Sequence, residues 1–339
     1  MSIFNTQPPI INKQKLFTWL KNNYDYMNLE IIDSIKLNSE RDYNLKIVTK
    51  NEKSYIIKIS NSSENYEILS FQDSILKHLS KSYVKNFIPK TFHEEIKKFK
   101  DEKNRQCYIR ILEYINGDIF ANKQDNFTLC NNLAKFLGFL SKSLYNFDHP
   151  AAHRDFIWNS INIEWIEKYN NLFQEKDKNE IINIVLESYN KNVKNKLSDI
   201  RFSVIHGDAN NFNIVVSKNE VIGLLDYGDS IYAPTVCELT VALAYSLMNT
   251  SDIVNKCCSM LKSYNLIYPL KKNEIQLIST LIAARLSITV IMAYKQKQKY
   301  PDNEYLIISE NDAWNLLYKL RDIGLDKLTS SLLEITNYD

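Results

Sequence analysis

Two carboxylates and a carboxamide stand at the borders of one short stretch, residues 204–229, which reads VIHGDANNFNIVVSKNEVIGLLDYGD. Its apolar runs at 213–217 and 221–225, joined by Lys218, Asn219 and Glu220, predict a small hairpin. Asp208 precedes the first run, Asn213 opens it and Asp226 follows the second, so closing the hairpin brings all three to one end. They would form a hard oxygen site of the type that holds magnesium while phosphate oxygens complete the shell. One acid would remain free to act as a base. Taken singly, Asp and Asn are common in loops because they bond their own backbone. As a spaced set, H-G-D-x-x-x-x-N followed by L-D-x-G-D gives every polar position a role in phosphoryl transfer. Within it, His206 is expected to order the loop rather than to handle protons.

The elements that must position this set lie on both sides of it. Upstream, an amphipathic helix is predicted at 15–26, with Leu16, Trp19, Leu20 and Tyr24 at helical spacing. Three strand-like runs follow, Ile31–Leu37, Tyr43–Thr49 and Ser54–Ile59, the last two forming a hairpin. Asn38, Ser39, Glu40, Arg41 and Asp42 form the loop between the first two. As a polar turn it needs no further role, but in a kinase-like lobe it would cover nucleotide phosphates with backbone N–H groups and a basic side chain. Lys58 alternates with isoleucines on the third run and is the candidate partner of the nucleotide phosphates. Ser62 and Ser63 are candidate caps for a helix at 64–79, whose first turns hold Glu64 and Glu67. Either acid could pair with Lys58, and the helix dipole alone would favour an acid there. The run 106–114 is read as an edge strand leading to a hinge. Downstream of it, helical periodicity appears at 127–147, 161–169, 178–193, 235–249, 253–266, 272–297 and 311–323, with Gly324 as a stop. The expected class is α+β: a small antiparallel-sheet lobe, 1–114, and a large mainly helical lobe, 115–339.

Composition limits the function. The 339 residues are 45% hydrophobic and 24% charged, an ordinary globular balance with room for two lobes. Lysine plus arginine total 42 against 40 acids, so a net charge of +2 implies neither a nucleic-acid partner nor a membrane surface. Five cysteines, an odd count with no C-x-x-C, suit reduced thiols and a cytoplasmic location. Residues 277–294 form the longest apolar run. Arg285 at its middle and several small polar residues favour a buried helix over a membrane span.

The chain resembles the aminoglycoside phosphotransferase and choline kinase superfamily, which has a bilobal protein-kinase-like fold, and within it the hydroxylysine kinase group. The motifs that carry the resemblance are the loop Ser39 to Asn44, the lysine strand Tyr55 to Asn61, Gln72 with His78 and Leu79, Phe136 to Gly138, His149 to Ala152, Arg154 to Trp158, Asp226 to Ser230 and Glu238 with Leu239. Asn38 stands where that group usually has glycine, and Asn159 where an aspartate is expected. The resemblance implies a small-molecule kinase using ATP or GTP with magnesium. Asp208 would be the base, Asn213 and Asp226 the metal ligands, and Lys58 with the Ser39 and Arg41 loop the phosphate contacts. The acceptor would be a small hydroxylated amine or amino acid, touched by Asp229, Glu238, Arg154 or Trp158. An aminoglycoside acceptor is the near alternative. A catalytically silent kinase-like scaffold is the alternative from another class, and it predicts a missing catalytic position where Lys58, Asp208, Asn213 and Asp226 are all present.

Overall fold

The computed structural model describes residues 6–337 apart from 25, 26, 28, 40, 94, 124, 125, 170 and 300–308. Glu40 of the candidate phosphate loop and the end of the first predicted helix therefore lie outside the described residues. The chain divides into two compact units, Met1–Lys81 with Ile88–Asn116, and Ser82–Phe87 with Gly117–Asp339.

The first unit is built on a five-stranded antiparallel sheet in the order β1-β2-β3-β5-β4. Its strands are β1 (Ile31–Leu37), β2 (Tyr43–Thr49), β3 (Ser54–Ile59), β4 (Lys97–Lys100) and β5 (Gln106–Glu113). Alternation gives the sheet two distinct faces. Leu45, Ile47, Ile57, Ile59, Ile109 and Ile111 join Leu16 and Leu20 of helix α1 (Lys13–Asn23) in one core. Each such aliphatic side chain contributes about 1.5–3 kcal/mol when fully buried. The other face carries Lys58, in register with Asn44 on β2 and Arg110 on β5. Arg110 donates to Gln72 Oε1 at 2.6 Å and Asp73 Oδ1 at 3.3 Å, so helix α2 (Tyr66–Leu79) covers that face.

Three expectations are corrected in this unit. β5 is internal; the edge is β4, whose sequence KKFK buries only Phe99 well. Lysines on an edge discourage pairing with other chains, and they hid the strand from a search for apolar alternation. The cap of α2 is Asn65, whose side chain accepts from the Glu67 N–H, rather than Ser62 or Ser63. Glu64 therefore precedes the helix instead of lying in its first turn. The third correction concerns Ser82–Phe87, expected in the N-terminal lobe. This segment belongs to the second unit, where the Phe87 ring packs 5.5 Å from that of Phe136 and its carbonyl accepts from Leu224 N–H.

Asp101, in the turn between β4 and β5, ties the N-terminal segment to the sheet. Its buried carboxylate accepts from the N–H groups of Ile10, Lys103 and Arg105 and from Arg105 Nε and Nη2, the last at 2.6 Å. Arg105 also donates to the carbonyls of Gln7 and Pro8. Burial pushes this carboxyl up, but the hydrogen bonds from Arg105 and Ile10 outweigh it and the net shift is downward from 3.8. A depressed folded-state value means stabilisation that is present above the unfolded value and lost as pH falls through the folded one. Asp101→Asn should therefore destabilise the first unit by about 3 kcal/mol at neutral pH. In urea melts the difference from wild type should persist to about pH 5 and shrink below about pH 4. A difference independent of pH down to about pH 2 would contradict the ionised role.

The second unit is mainly helical. A three-stranded sheet in the order β6-β8-β9 is made by β6 (Asp118–Ile119), β8 (Ile214–Ser217) and β9 (Glu220–Leu224). Between them in sequence, β7 (Phe202–Ile205) pairs antiparallel with β10 (Ile231–Pro234). The predicted hairpin is present, with Glu220 paired to Ser217 and the turn reduced to Lys218 and Asn219, where Lys218 takes φ 53°. Helices α3 (Phe127–Leu144), α4 (Lys176–Asn192), α5 (Val236–Ser246), α6 (Ile253–Asn265), α7 (Lys272–Ile275), α8 (Ile278–Lys299), α9 (Glu310–Ile323) and α10 (Leu325–Glu334) surround them. Residues expected to be helical at 161–169 are a 3₁₀ segment, Glu164–Tyr169, and α10 after Gly324 was not foreseen. α3 packs on α6, and α8 packs on α4, α5 and α9. The stretch Lys272–Gln298 is long and apolar enough to cross a membrane, but 94% of its most apolar window is buried inside the protein.

Candidate active site

The hairpin acts as the frame of the site. Leu225 N–H donates to Asn213 O at 2.7 Å, closing the open end, and this sets Asp226 beside the Asn213 backbone. Asn213 Nδ2 donates to Asp208 O at 2.9 Å and to Asp208 Oδ2 at 2.8 Å. Asp208, Asn213 and Asp226 are thus held at one end of β8 and β9. With its Nδ2 turned to Asp208, Asn213 has Oδ1 as the carboxamide atom that could ligate a metal.

His206 and Gly207 fold the loop that presents Asp208. The buried His206 ring donates from Nε2 to Leu225 O at 2.9 Å, and its Nδ1 accepts the Asp208 N–H at 3.2 Å. Both nitrogens are used on the main chain, and burial lowers the imidazole to about 4, so the ring is neutral at physiological pH. Tyr227 packs edge-on against it at 4.6 Å. Gly207 takes φ +75°, and a Cβ there would sit 3.0 Å from Asp229 O, so both the turn and the close backbone approach require glycine.

Asp208 itself is held from two sides. Oδ2 accepts from Asn210 Nδ2 at 2.9 Å as well as from Asn213, while Oδ1 accepts from Arg285 Nη2 at 2.8 Å. Burial pushes the Asp208 carboxyl up to about 7, against the downward pull of the Arg285 guanidinium, with Asp229 and Asp226 adding to the rise. Asp226 adopts a left-handed conformation, φ 59° and ψ 80°, and caps the 3₁₀ turn Tyr227–Asp229. Its carboxylate is exposed, and Asp229 is half-buried at the end of the same turn. The oxygen-only donors of Asn213 and Asp226 fit magnesium, which keeps most of its shell for water and substrate phosphates and uses one or two protein carboxylates. Among the described residues no cluster of three or more His, Cys, Asp or Glu suggests a different metal centre.

Two of the candidate acceptor contacts are engaged within the protein. Glu238 is fully buried within α5, where its Oε2 accepts the His206 N–H at 2.6 Å and burial raises its carboxyl to about 7. It anchors the loop from behind, on a helix that is buried along its whole length. Arg154 donates from Nη2 to Gly228 O at 2.8 Å and Ser230 O at 3.0 Å while lying 4.5 Å over the Phe156 ring. It therefore braces the turn that carries Asp229. Trp158 is half-buried, and Asn159, buried behind it, accepts the Ile161 N–H at 3.3 Å.

In the first unit, Asn61 closes the candidate phosphate loop: its N–H donates to Asp42 Oδ1 at 2.9 Å and its Nδ2 to Arg41 O at 3.2 Å. Ser39 Oγ accepts the Asp42 N–H at 3.2 Å, so its hydroxyl shapes the loop. Glu64 is half-buried ahead of the α2 cap, whereas Glu67 is exposed on the first turn, where the helix dipole alone accounts for an acid.

Sequence reasoning missed Arg285 and Asn210 as members of the site. In the sequence Arg285 reads only as an interruption of an apolar run. A lone charge in the middle of a buried helix was itself the signal, since such a group must be paired.

A two-unit chain with an antiparallel sheet carrying a lysine strand, and a helical unit holding an H-G-D loop over an Asn and Asp hairpin, defines a small-molecule kinase of α+β, kinase-like architecture. The profile of the phosphotransferase enzyme family matches residues 36–254, and the chain belongs to that family. Similar curated proteins include a hydroxylysine kinase of Mus musculus, 28% identical over 82% of this chain and 80% of the relative. Another, from Xenopus laevis, is 25% identical over 96% of this chain and 93% of the relative. Among solved structures, a microcompartment-associated aminopropanol kinase matches with TM-score 0.67 at 11% identity, covering 93% of this chain and 98% of that one. An amicoumacin kinase in complex with AMP-PNP and Ca2+ matches with TM-score 0.63 at 14% identity, covering 94% and 96%.

Proposed function

We propose that this kinase transfers the γ-phosphate of a nucleoside triphosphate to the hydroxyl of a small amino-containing metabolite of the hydroxylysine type. The observation that carries this reading is the Asp208 carboxylate, fixed by donors on both oxygens at the mouth of the Asn213 and Asp226 hairpin. The names of the similar proteins from mouse and frog support the acceptor class.

In this reading Asp208 takes the proton of the acceptor hydroxyl as its oxygen attacks. Asn213 Oδ1 and the Asp226 carboxylate would hold magnesium, which when bound supplies charge neutralisation for the phosphates. Lys58 binds nucleotide phosphates, with Glu64 as its proposed partner, and the loop of Ser39 and Arg41 presents backbone N–H groups to them. Asp229 and Trp158 remain the proposed acceptor contacts, the carboxylate suiting an ammonium group and the indole face not covered by Arg285 a cation. Phosphoryl transfer depends mainly on positioning and electrostatics, so this small set suffices. We place the activity in the cytoplasm, consistent with five cysteines that are all free and buried.

A nucleotide-consumption screen over hydroxylysine, homoserine, choline, ethanolamine and kanamycin, run with ATP and with GTP, tests the acceptor and the donor together. Hydroxylysine should give the highest kcat/KM, and GTP should serve as donor. Preference for kanamycin would replace the acceptor class with an aminoglycoside. Nucleotide binding without turnover on any acceptor would favour a silent binding protein.

A further inference from the structure

The one charge in the buried part of α8 has no reason in packing to be there. Arg285 is 1% exposed on a helix whose other buried residues are aliphatic, such as Leu281, Ile282 and Leu286, or small and uncharged, such as Ser287 and Thr289. Burying a guanidinium is costly, and apolar residues of similar volume in place of a buried pair often leave a protein equally or more stable. Arg285 instead uses its fork on two targets. Nη2 donates to Asp208 Oδ1 at 2.8 Å and Nη1 to Trp158 O at 3.0 Å. Its plane is held by the Trp158 ring at 4.8 Å and the Tyr245 ring at 5.6 Å, with Tyr245 Oη 3.4 Å from Nη2. The partners of the other Asp208 oxygen, Asn210 and Asn213, are neutral and belong to the loop itself. Among the described residues, removing Arg285 would leave the carboxylate with donors on one oxygen only and with no countercharge at hydrogen-bond distance.

We infer that Arg285 is the positioning residue of the Asp208 carboxylate, fixing its rotation from α8 while tying the Trp158 segment to the same point. This rests on the reading of Asp208 as the base. Arginine suits the task because its planar fork reaches both acceptors at fixed spacing, whereas a lysine ammonium can meet Asp208 but not hold Trp158 O in the same geometry. A misplacement of about 1 Å at such a group can reduce rate by roughly 10²-fold.

The test is a double-mutant cycle of Arg285→Gln and Asp208→Asn, with Arg285→Lys as the conservative variant, read in kcat, nucleotide KM and thermal midpoint. Arg285→Gln should lower kcat roughly 10²-fold with nucleotide KM changed by less than about threefold, and Arg285→Lys should recover about tenfold of the loss. In the Asp208→Asn background the Gln substitution should change residual kcat by less than about threefold, because residues acting as a unit are not additive. Arg285→Gln should also lower the thermal midpoint more in wild type than in Asp208→Asn, a comparison that needs no turnover. An unchanged kcat in Arg285→Gln, a loss fully additive with Asp208→Asn, or a rise in nucleotide KM alone would overturn the inference. Equal midpoint shifts in both backgrounds would overturn it as well. If Asp208→Asn itself turns over normally, the reading of Asp208 as base fails. If Asp208→Asn is inactive and Arg285→Gln is not, only the role of Arg285 fails.

Discussion

Asp208→Asn is expected to lower turnover by roughly 10²- to 10⁴-fold, about 3 to 5.5 kcal/mol of barrier, while nucleotide affinity survives. The substitution is close to isosteric, and the neighbours explain why the loop should keep its shape and nucleotide affinity should survive, although the buried Arg285 loses its charged partner and thermal stability should fall. Asn213 also bonds the Asp208 backbone carbonyl, and the loop is pinned independently by His206 on Leu225 O and by Glu238 on the His206 N–H. None of those bonds needs the Asp208 carboxylate. An asparagine can present its carbonyl oxygen either to Arg285 or to the amides of Asn210 and Asn213, with its own Nδ2 left facing donors on the other side, and it cannot accept a proton from the attacking hydroxyl. Steady-state kinetics together with calorimetric nucleotide titration separate the two effects. Near-normal turnover would refute the assignment.

The second large effect is expected at Asp226. Asp226→Asn should lose magnesium-dependent nucleotide binding, with affinity falling roughly 100-fold, about 2.7 kcal/mol. The choice of substitution matters because Asp226 sits at φ 59° and ψ 80°. Asparagine tolerates left-handed backbone, so Asp226→Asn isolates the lost charge, whereas alanine there adds about 1 kcal/mol or more of strain. Asp226→Ala should therefore lose both metal-dependent binding and thermal stability, and Asp226→Asn mainly the first. A magnesium titration of nucleotide binding that looks the same in wild type and Asp226→Asn would count against a metal role.

Much of this was legible in the sequence because it depends on local rules. The first three of the five strands of the first unit have the predicted bounds, Ile31–Leu37, Tyr43–Thr49 and Ser54–Ile59, since alternating Ile, Val and Tyr between polar turns leaves little choice of register. The hairpin was visible for the same reason, and with it the meeting of Asp208, Asn213 and Asp226, which short backbone spacing almost forces. Features that ran against local pattern were misread or missed. KKFK is a strand only because β5 offers it a pairing edge, and α2 is capped by Asn65 rather than by either upstream serine.

By itself, then, the sequence indicated the candidate site residues, the family, the first three strands and most of the helices, because those follow from residue type and spacing along a few tens of residues. Tertiary structure alone decided how several charges around the site are paired. Glu238 and Arg154 sit close in sequence or motif to the site, yet packing turns one into an anchor behind His206 and the other into a brace for the Asp229 turn. Arg285 stands 77 residues from Asp208 in a helix that reads as plain core, yet it supplies the carboxylate's charged partner. The physical reason is that burial and pairing of a charge are properties of the assembled surroundings. The cost of an unpaired ion in the interior shows that a partner must exist, and only the folded chain shows which one it is.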